Sequence, residues 1–112
     1  MEISESKRNG VVILALHGRL DASNAGDLEQ RVLGLIAGGD TRFVVDGAQL
    51  DYISSAGLRV LLVAAKRLKA THGTIALAAL QAQVKEVFDI AGFASIFPIH
   101  ATAAAAVAAL QS

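Results

Sequence analysis

The sequence predicts an α/β fold, in which a mixed β-sheet is packed by helices. Apolar runs rich in β-branched residues alternate with segments whose apolar residues recur at helical spacing. Glycine-containing turns separate most of these segments. The chain has 112 residues, of which 54% are hydrophobic and none is cysteine. That is enough for one domain with its own core and without disulfides, so we expect a single domain over residues 1–112.

The N-terminal half of the chain predicts two strands, a helix and a third strand. A short edge strand near Glu2–Lys7 joins a buried strand over Val11–His17 through a tight turn at Asn9–Gly10. The next apolar residues follow helical spacing up to a glycine pair. After them, Arg42–Val45 predicts a short central strand.

The C-terminal half continues the alternation of helix and strand. A helix is expected from the Ser54–Ser55 pair to about Ala70, and a strand over Thr74–Leu80. A helix over Gln83–Ile90 precedes a short strand at Ile96–Ile99, where a proline indicates an edge position. An alanine-rich helix over Ala101–Gln111 completes the pattern.

Composition argues against several classes of function. Ten acidic and ten basic residues give a formal charge of zero, which is atypical of nucleic-acid binders and polybasic membrane anchors. No signal-peptide core or apolar run of ~20 residues occurs, so we expect a cytoplasmic protein without membrane insertion. The three histidines fall in different elements, and no nucleotide-binding glycine motif is present. We therefore expect neither a metal nor a cofactor.

Two serines where a loop enters a helix are the most informative local feature. The hydroxyl of Ser54 or Ser55 can cap the first helical turn by accepting a backbone N–H. The same position suits a phosphate, because free N–H groups and the helix dipole favour negative charge. Gly57, which has no Cβ, is expected to let another molecule approach the hydroxyl. The stretch is thus either a capped helix start or a serine presented for modification.

Two aspartates follow predicted strands. Asp21 comes after the second strand, and Asp46 after the third. Polar groups just beyond strand ends commonly line a site at the rim of an α/β sheet. The alternative is structural, with Asp21 or Ser23 capping the first helix and Asp46 forming a turn.

The helix after Ser55 also predicts a surface for a partner. Steps of about 100° per residue place one apolar set on its inward face: Gly57, Leu61, Ala64, Ala65 and Leu68. Arg59, Val63 and Lys66 then lie on the opposite side, with Leu62 on the flank. Aliphatic residues beside basic ones near the serines indicate a plausible contact surface.

Four segments together resemble the STAS domain of bacterial anti-sigma factor antagonists. They are Gly18–Asp21, Phe43–Asp46, Leu50–Leu62 and Val84–Phe93, and the last is followed by the short strand at Ile96–Ile99. The likeness covers nearly the whole chain and is most specific in the third segment. It implies a single STAS-type domain over residues 1–112.

The serine motif of that family has an aspartate, the phosphorylated serine, a small residue and then Gly-Leu. Counting back from Gly57, Ala56 takes the small position and Ser55 the position of the phosphoacceptor. Ser54 stands where the family has its aspartate, so one carboxylate beside the acceptor is missing. The resemblance thus implies phosphorylation of Ser55.

What the resemblance implies is a switch and not an enzyme. The unphosphorylated domain would bind an anti-sigma factor that is also a serine kinase of the histidine-kinase-like ATPase type, releasing the sigma factor. Phosphorylation would break the complex, and a PP2C-type phosphatase would reset it. A phosphate adds about −1.5 to −2 charge, enough to reverse complementarity at a contact.

Two other functions stay open at this point. The chain could be a STAS-type scaffold or ligand-binding module in a chemosensory, transport or secretion assembly, with Ser55 serving only as a cap. It could also be a small enzyme that uses Asp21, Asp46 and Ser55. Phosphorylation by a cognate kinase would argue against the scaffold, and absence of turnover would argue against the enzyme.

Overall fold

The fold is built on one five-stranded sheet, which the computed structural model describes together with its helices over residues 1–111. The strands are β1 (Glu2–Arg8), β2 (Val11–Leu20), β3 (Arg42–Ile53), β4 (Thr74–Ala78) and β5 (Ile99–His100). The helices are α1 (Ala25–Ala37), α2 (Ser55–Ala70), α3 (Ala82–Ile90) and α4 (Ala103–Gln111), with a 3-10 turn at Phe93–Ser95. This order confirms the alternation predicted from the sequence.

The sheet is mixed, as predicted. Its strands lie in chain order; β1 pairs antiparallel with β2, and every later pairing is parallel. The predicted turn between β1 and β2 has positive φ at both Asn9 (52°) and Gly10 (80°). Two such residues match the twist of a tight hairpin. β1 is the first strand in the sheet order and is therefore an edge strand, as predicted.

Alternating side chains of β2 supply both faces of the core. Val12, Leu14 and Leu16 pack on the side of α1, α2 and α3. Val11 and Ile13 point to the other side, where α4 covers the sheet with Ala106 and Val107. Both faces are apolar because the strand is covered on both sides, which explains the continuous apolar run in the sequence.

β2 and β3 are longer than predicted and end together. The sequence predicted that the third strand stops before Asp46, but β3 continues to Ile53, which pairs with Leu20 at the end of β2. β4 pairs with β3 only as far as Asp46. The last part of β3 therefore has one strand neighbour, and its exposed polar residues resemble a loop in sequence.

The prediction for the last strand was wrong. The sequence predicted a strand at Ile96–Ile99, whereas β5 is Ile99–His100. Phe97 is buried and packs edge-on against Phe88, with ring centroids 6.1 Å apart. Core packing of this aromatic ring, together with a proline that has no N–H, prevents an earlier start of the strand. β4 is also shorter than predicted, because Ala79 has φ 56° and leaves the strand conformation.

Candidate functional site

Ser54 is engaged in three backbone contacts that fix the start of α2. Its amide donates to the carbonyl of Leu20 at 2.9 Å, and its own carbonyl accepts the amide of Leu58 at 3.0 Å. Its hydroxyl oxygen accepts the amide of Gly57 at 3.3 Å. Ser54 is thus the N-cap of the helix, and the capping role that the sequence offered to either serine belongs to it.

Ser55 is the first residue of α2 and is exposed. Within residues 1–111 its hydroxyl makes no hydrogen bond. The first turn of α2 contains no acidic residue. A phosphate on Ser55 would therefore meet the positive end of the helix dipole without a carboxylate in that turn. The hydroxyl is free for chemistry in a way that the hydroxyl of Ser54 is not.

Gly57 faces the core, so the prediction that it opens the site to another molecule was wrong. A Cβ at this position would lie 2.7 Å from Cγ of Leu20 and 2.9 Å from Cγ1 of Ile53. Both distances are shorter than real Cβ contacts. The missing side chain lets α2 pack directly on the ends of β2 and β3, which determines where Ser55 is presented.

Asp21 lies beside the serine loop, because it directly follows Leu20, the acceptor for the Ser54 amide. It does not cap α1, whose N-cap is Asn24. Its carboxylate accepts the hydroxyl of Ser23 at 2.6 Å and the Ser23 amide at 3.0 Å. These two hydrogen bonds, the hydroxyl first, lower the pKa of the Asp21 carboxyl. Asp21 is therefore a fixed negative charge at neutral pH.

Asp46 does not follow a strand end, contrary to the prediction. It lies inside β3, and an ideal strand from there to Ile53 spans roughly 20 Å. The register shifts beside it, because Ala15 pairs with Asp46 but His17 pairs with Gln49. The Asp46 carboxylate accepts the Ala48 amide at 3.0 Å within this bulge. The structural alternative, a local turn, describes Asp46 better than a place beside Ser55.

Two glutamines that the sequence did not single out hold the last part of β3. The side chain of Gln81 donates to the carbonyl of Ala48 at 3.1 Å and to the carboxylate of Asp51 at 3.3 Å. Gln83 donates to the carbonyl of Asp51 at 3.5 Å. These side chains donate to β3 carbonyls in the part of the strand that β4 does not pair with. Sequence spacing carries no signal for such a contact between distant segments.

Arg19 and Tyr52 form a second feature of this edge that the sequence did not predict. They pair across β2 and β3, and the Arg19 guanidinium lies 4.1 Å from the centroid of the Tyr52 ring. Tyr52 is 40% exposed, so the pair stands at the surface next to the serine loop. A tyrosine directly before the inward Ile53 was the available signal, since neighbours in a strand face opposite ways.

The predicted partner surface is partly exposed. Arg59 and Lys66 are exposed, whereas Leu62 and Val63 are half-buried. The inward face is wider than predicted, because Leu58 and Val60 are buried as well, while Ala65 is only half-buried. At about 100° per residue, Ser55, Arg59, Leu62 and Lys66 fall within an arc of about 60°. Val63 lies further round the helix.

Within the described residues, no group of three or more acidic or histidine side chains is placed to hold a metal ion. None of the helices in residues 1–111 combines the length and the apolar character needed to cross a bilayer.

The chain belongs to the STAS domain family, whose pattern matches residues 2–106. It is 42% identical to BtrV of Bordetella bronchiseptica, a protein assigned as an anti-sigma factor antagonist, over 100% of this chain and 97% of BtrV.

Solved structures share the fold at lower sequence identity. A Thermotoga maritima protein that is assigned as an anti-sigma factor antagonist superimposes with a TM-score of 0.94 at 21% identity, over 98% of this chain and 95% of that one. The anti-sigma factor antagonist SpoIIAA in its unphosphorylated form gives a TM-score of 0.88 at 20% identity, over 98% of this chain and 96% of that one. SpoIIAA of Bacillus in its phosphorylated form gives a TM-score of 0.78 at 20% identity, over 96% of this chain and 98% of that one. By homology, the chain is a member of the anti-sigma factor antagonist family.

Proposed function

We propose that this protein is an anti-sigma factor antagonist controlled by phosphorylation of Ser55. The unphosphorylated domain binds an anti-sigma factor that is also a serine kinase of the histidine-kinase-like ATPase type. The sigma factor is released by that binding. A PP2C-type phosphatase removes the phosphate and restores the binding form. The domain itself catalyses nothing, and the cycle runs in the cytoplasm, where ATP and sigma factors are found.

The observation that carries the proposal is that the hydroxyls of the two serines differ in their hydrogen bonding and exposure. Ser54 is tied to the first turn of α2 through its hydroxyl, while the hydroxyl of Ser55 is exposed and makes no hydrogen bond within residues 1–111. A kinase can reach Ser55 without breaking the helix cap. BtrV, the relative assigned as an antagonist, and SpoIIAA, solved both with and without phosphate, support this reading.

The chemistry needs little from the domain. The oxygen of Ser55 attacks the γ-phosphorus of ATP, loses its proton to a base of the kinase, and ADP leaves. The product carries about −1.5 to −2 charge where the hydroxyl was neutral. The helix N-terminus tolerates that charge, so the domain stays folded. A partner face that had packed against the hydroxyl now meets an unpaired charge, which weakens the complex.

The test is phosphorylation of the full chain by a histidine-kinase-like ATPase encoded in the same genome. Mass spectrometry of the product with ATP should place one phosphate on Ser55. Ser55→Ala should bind the kinase but stay unmodified, and Ser55→Asp should bind more weakly. Ser54→Ala is the matched control and should still be phosphorylated. Phosphate found mainly on Ser54, or a Ser55→Asp variant that binds like the wild type, would overturn the proposal.

A further inference from the structure

A groove runs along the C-terminal half of α2. It lies between that helix, the start of β4 and the segment that leads into β5, and its volume is about 540 Å³. Apolar side chains, among them Leu62 and Ile96, form about half of its lining, and α2 adds Lys66 and Lys69. This size is sufficient for several side chains of a partner.

The groove continues the stripe of α2 that starts at the candidate phosphorylation site. Ser55, Arg59, Leu62, Lys66 and Lys69 follow one another at intervals of three or four residues. At about 100° per residue, they occupy an arc of about 80°. Leu62 and Lys66 thus belong both to the partner surface predicted from the sequence and to the groove.

The charge of the groove is one-sided. Lys66 and Lys69 are exposed, and neither forms a salt bridge within residues 1–111. None of the residues described as lining it is acidic. Ile96 is 46% exposed at its edge, although it is a large aliphatic residue. An occupant with both aliphatic and carboxylate groups would complement this surface.

We propose that the groove receives an acidic amphipathic helix of the protein partner. Aliphatic residues of that helix pack against Leu62 and Ile96, and its carboxylates pair with Lys66 and Lys69. The groove favours a helix because the distance along α2 from Leu62 to Lys69, roughly 10 Å, matches the rise from i to i+7 in a helical partner. In a two-fold symmetric dimer, a second copy of this chain would bring the same lysines against each other. The identity of the partner rests on the proposed function.

The groove is an anchor that the phosphate does not reach. Along the helix, Lys66 lies roughly 17 Å and Lys69 roughly 21 Å from Ser55. The screening length at physiological ionic strength is about 8 Å. Changes at sites this far apart usually act independently. The groove therefore contributes the same binding free energy whether or not residue 55 is charged.

The experiment measures affinity for the cognate kinase by calorimetry with the full chain. Lys69→Glu reverses a charge in the groove, and its control, Arg67→Glu, reverses an exposed charge elsewhere on α2. Ile96→Asp alters the apolar edge, and its control, Ile90→Asp, alters an exposed isoleucine of α3 outside the groove. Each groove variant should weaken binding at least tenfold, and each control less than threefold. Circular dichroism should show that all four variants are folded.

A second measurement repeats Lys69→Glu in the Ser55→Ala and Ser55→Asp backgrounds, where the same fold-change is expected. Groove variants that bind like their controls, or a fold-change that disappears in one background, would overturn the inference. A change in molar mass by light scattering with Lys69→Glu would also overturn it, since the occupant would then be a second copy. If the wild type binds no kinase, the proposed function fails. If the wild type binds and Ser55→Asp weakens that binding but the groove variants do not, only the role of the groove is refuted.

Discussion

The amide of Ser54 donates a hydrogen bond of 2.9 Å to the carbonyl of Leu20, joining the loop after β3 to the end of β2. This one bond connects the two stretches of sequence that matter most at the site. It brings Asp21, the residue after Leu20, beside the serine pair. Because β2 and β3 are parallel and end at the same pair, Leu20 and Ile53, both loops leave the sheet at one edge.

Gly57→Ala should destabilise the domain by about 1–3 kcal/mol, because the new methyl group overlaps Leu20 and Ile53 in a packed core. Denaturant unfolding gives the free energy directly. Gly34→Ala is the control, since this glycine lies inside α1 and a Cβ there would meet no neighbouring atom within 4 Å. That change should stabilise the protein by about 0.5–1 kcal/mol. Equal effects of the two variants would contradict the packing role of Gly57.

Ser54→Ala should lower the free energy of unfolding by about 1 kcal/mol, because the cap on the Gly57 amide is lost. Ser55→Ala should change it by less than about 0.5 kcal/mol, since an exposed hydroxyl without a protein hydrogen bond is removed. Both variants remove one hydroxyl oxygen, and they do so at neighbouring positions, so each serves as the control for the other. A larger loss for Ser55→Ala would mean that the cap was assigned to the wrong serine.

Asp21→Asn should change the rate of Ser55 phosphorylation several-fold while the domain stays folded. The carboxylate stands beside the serine loop, and a charge at the rim of a contact mainly affects the rate of encounter. Hydrogen bonds from Ser23 lower its pKa, so the charge is present at neutral pH and is lost only as the pH falls through that lowered value. Initial rates of phosphate incorporation measure the effect.

Asp46→Asn makes the same substitution as Asp21→Asn at a position further from the serines, and it serves as the control for that variant. The asparagine oxygen can still accept the Ala48 amide, so the melting temperature should stay within a few degrees of the wild type. Phosphorylation should keep its wild-type rate. Unfolding of this variant would show that the charge itself supports the bulge, and a slow rate would place Asp46 in the site after all.

Val63→Asp should weaken kinase binding by at least tenfold, because a charge at a packed contact costs several kcal/mol. Val63 is only half-buried, so circular dichroism should show an intact fold. Ile90→Asp, a change at an isoleucine that is 79% exposed on α3, should bind normally. A folded Val63→Asp that binds as tightly as the wild type would place the interface elsewhere.

The sequence by itself determined the order of the elements, the hairpin at Asn9–Gly10 and the mixed sheet. These depend on local periodicity and turn chemistry, which neighbouring residues carry. It also indicated the serine pair at the start of α2. The short strand β5 was misplaced because the burial of Phe97 depends on Phe88, which belongs to another element.

Only the tertiary structure decided which serine caps α2, which way Gly57 faces, and where Asp46 lies. Each of these depends on a contact between distant segments. The ends of β2 and β3 meet Gly57, and the extension of β3 past Asp46 is held by β2 and by the glutamines at the start of α3. Local patterns describe a residue's own helix or strand, whereas the direction of its side chain follows from what packs against that element.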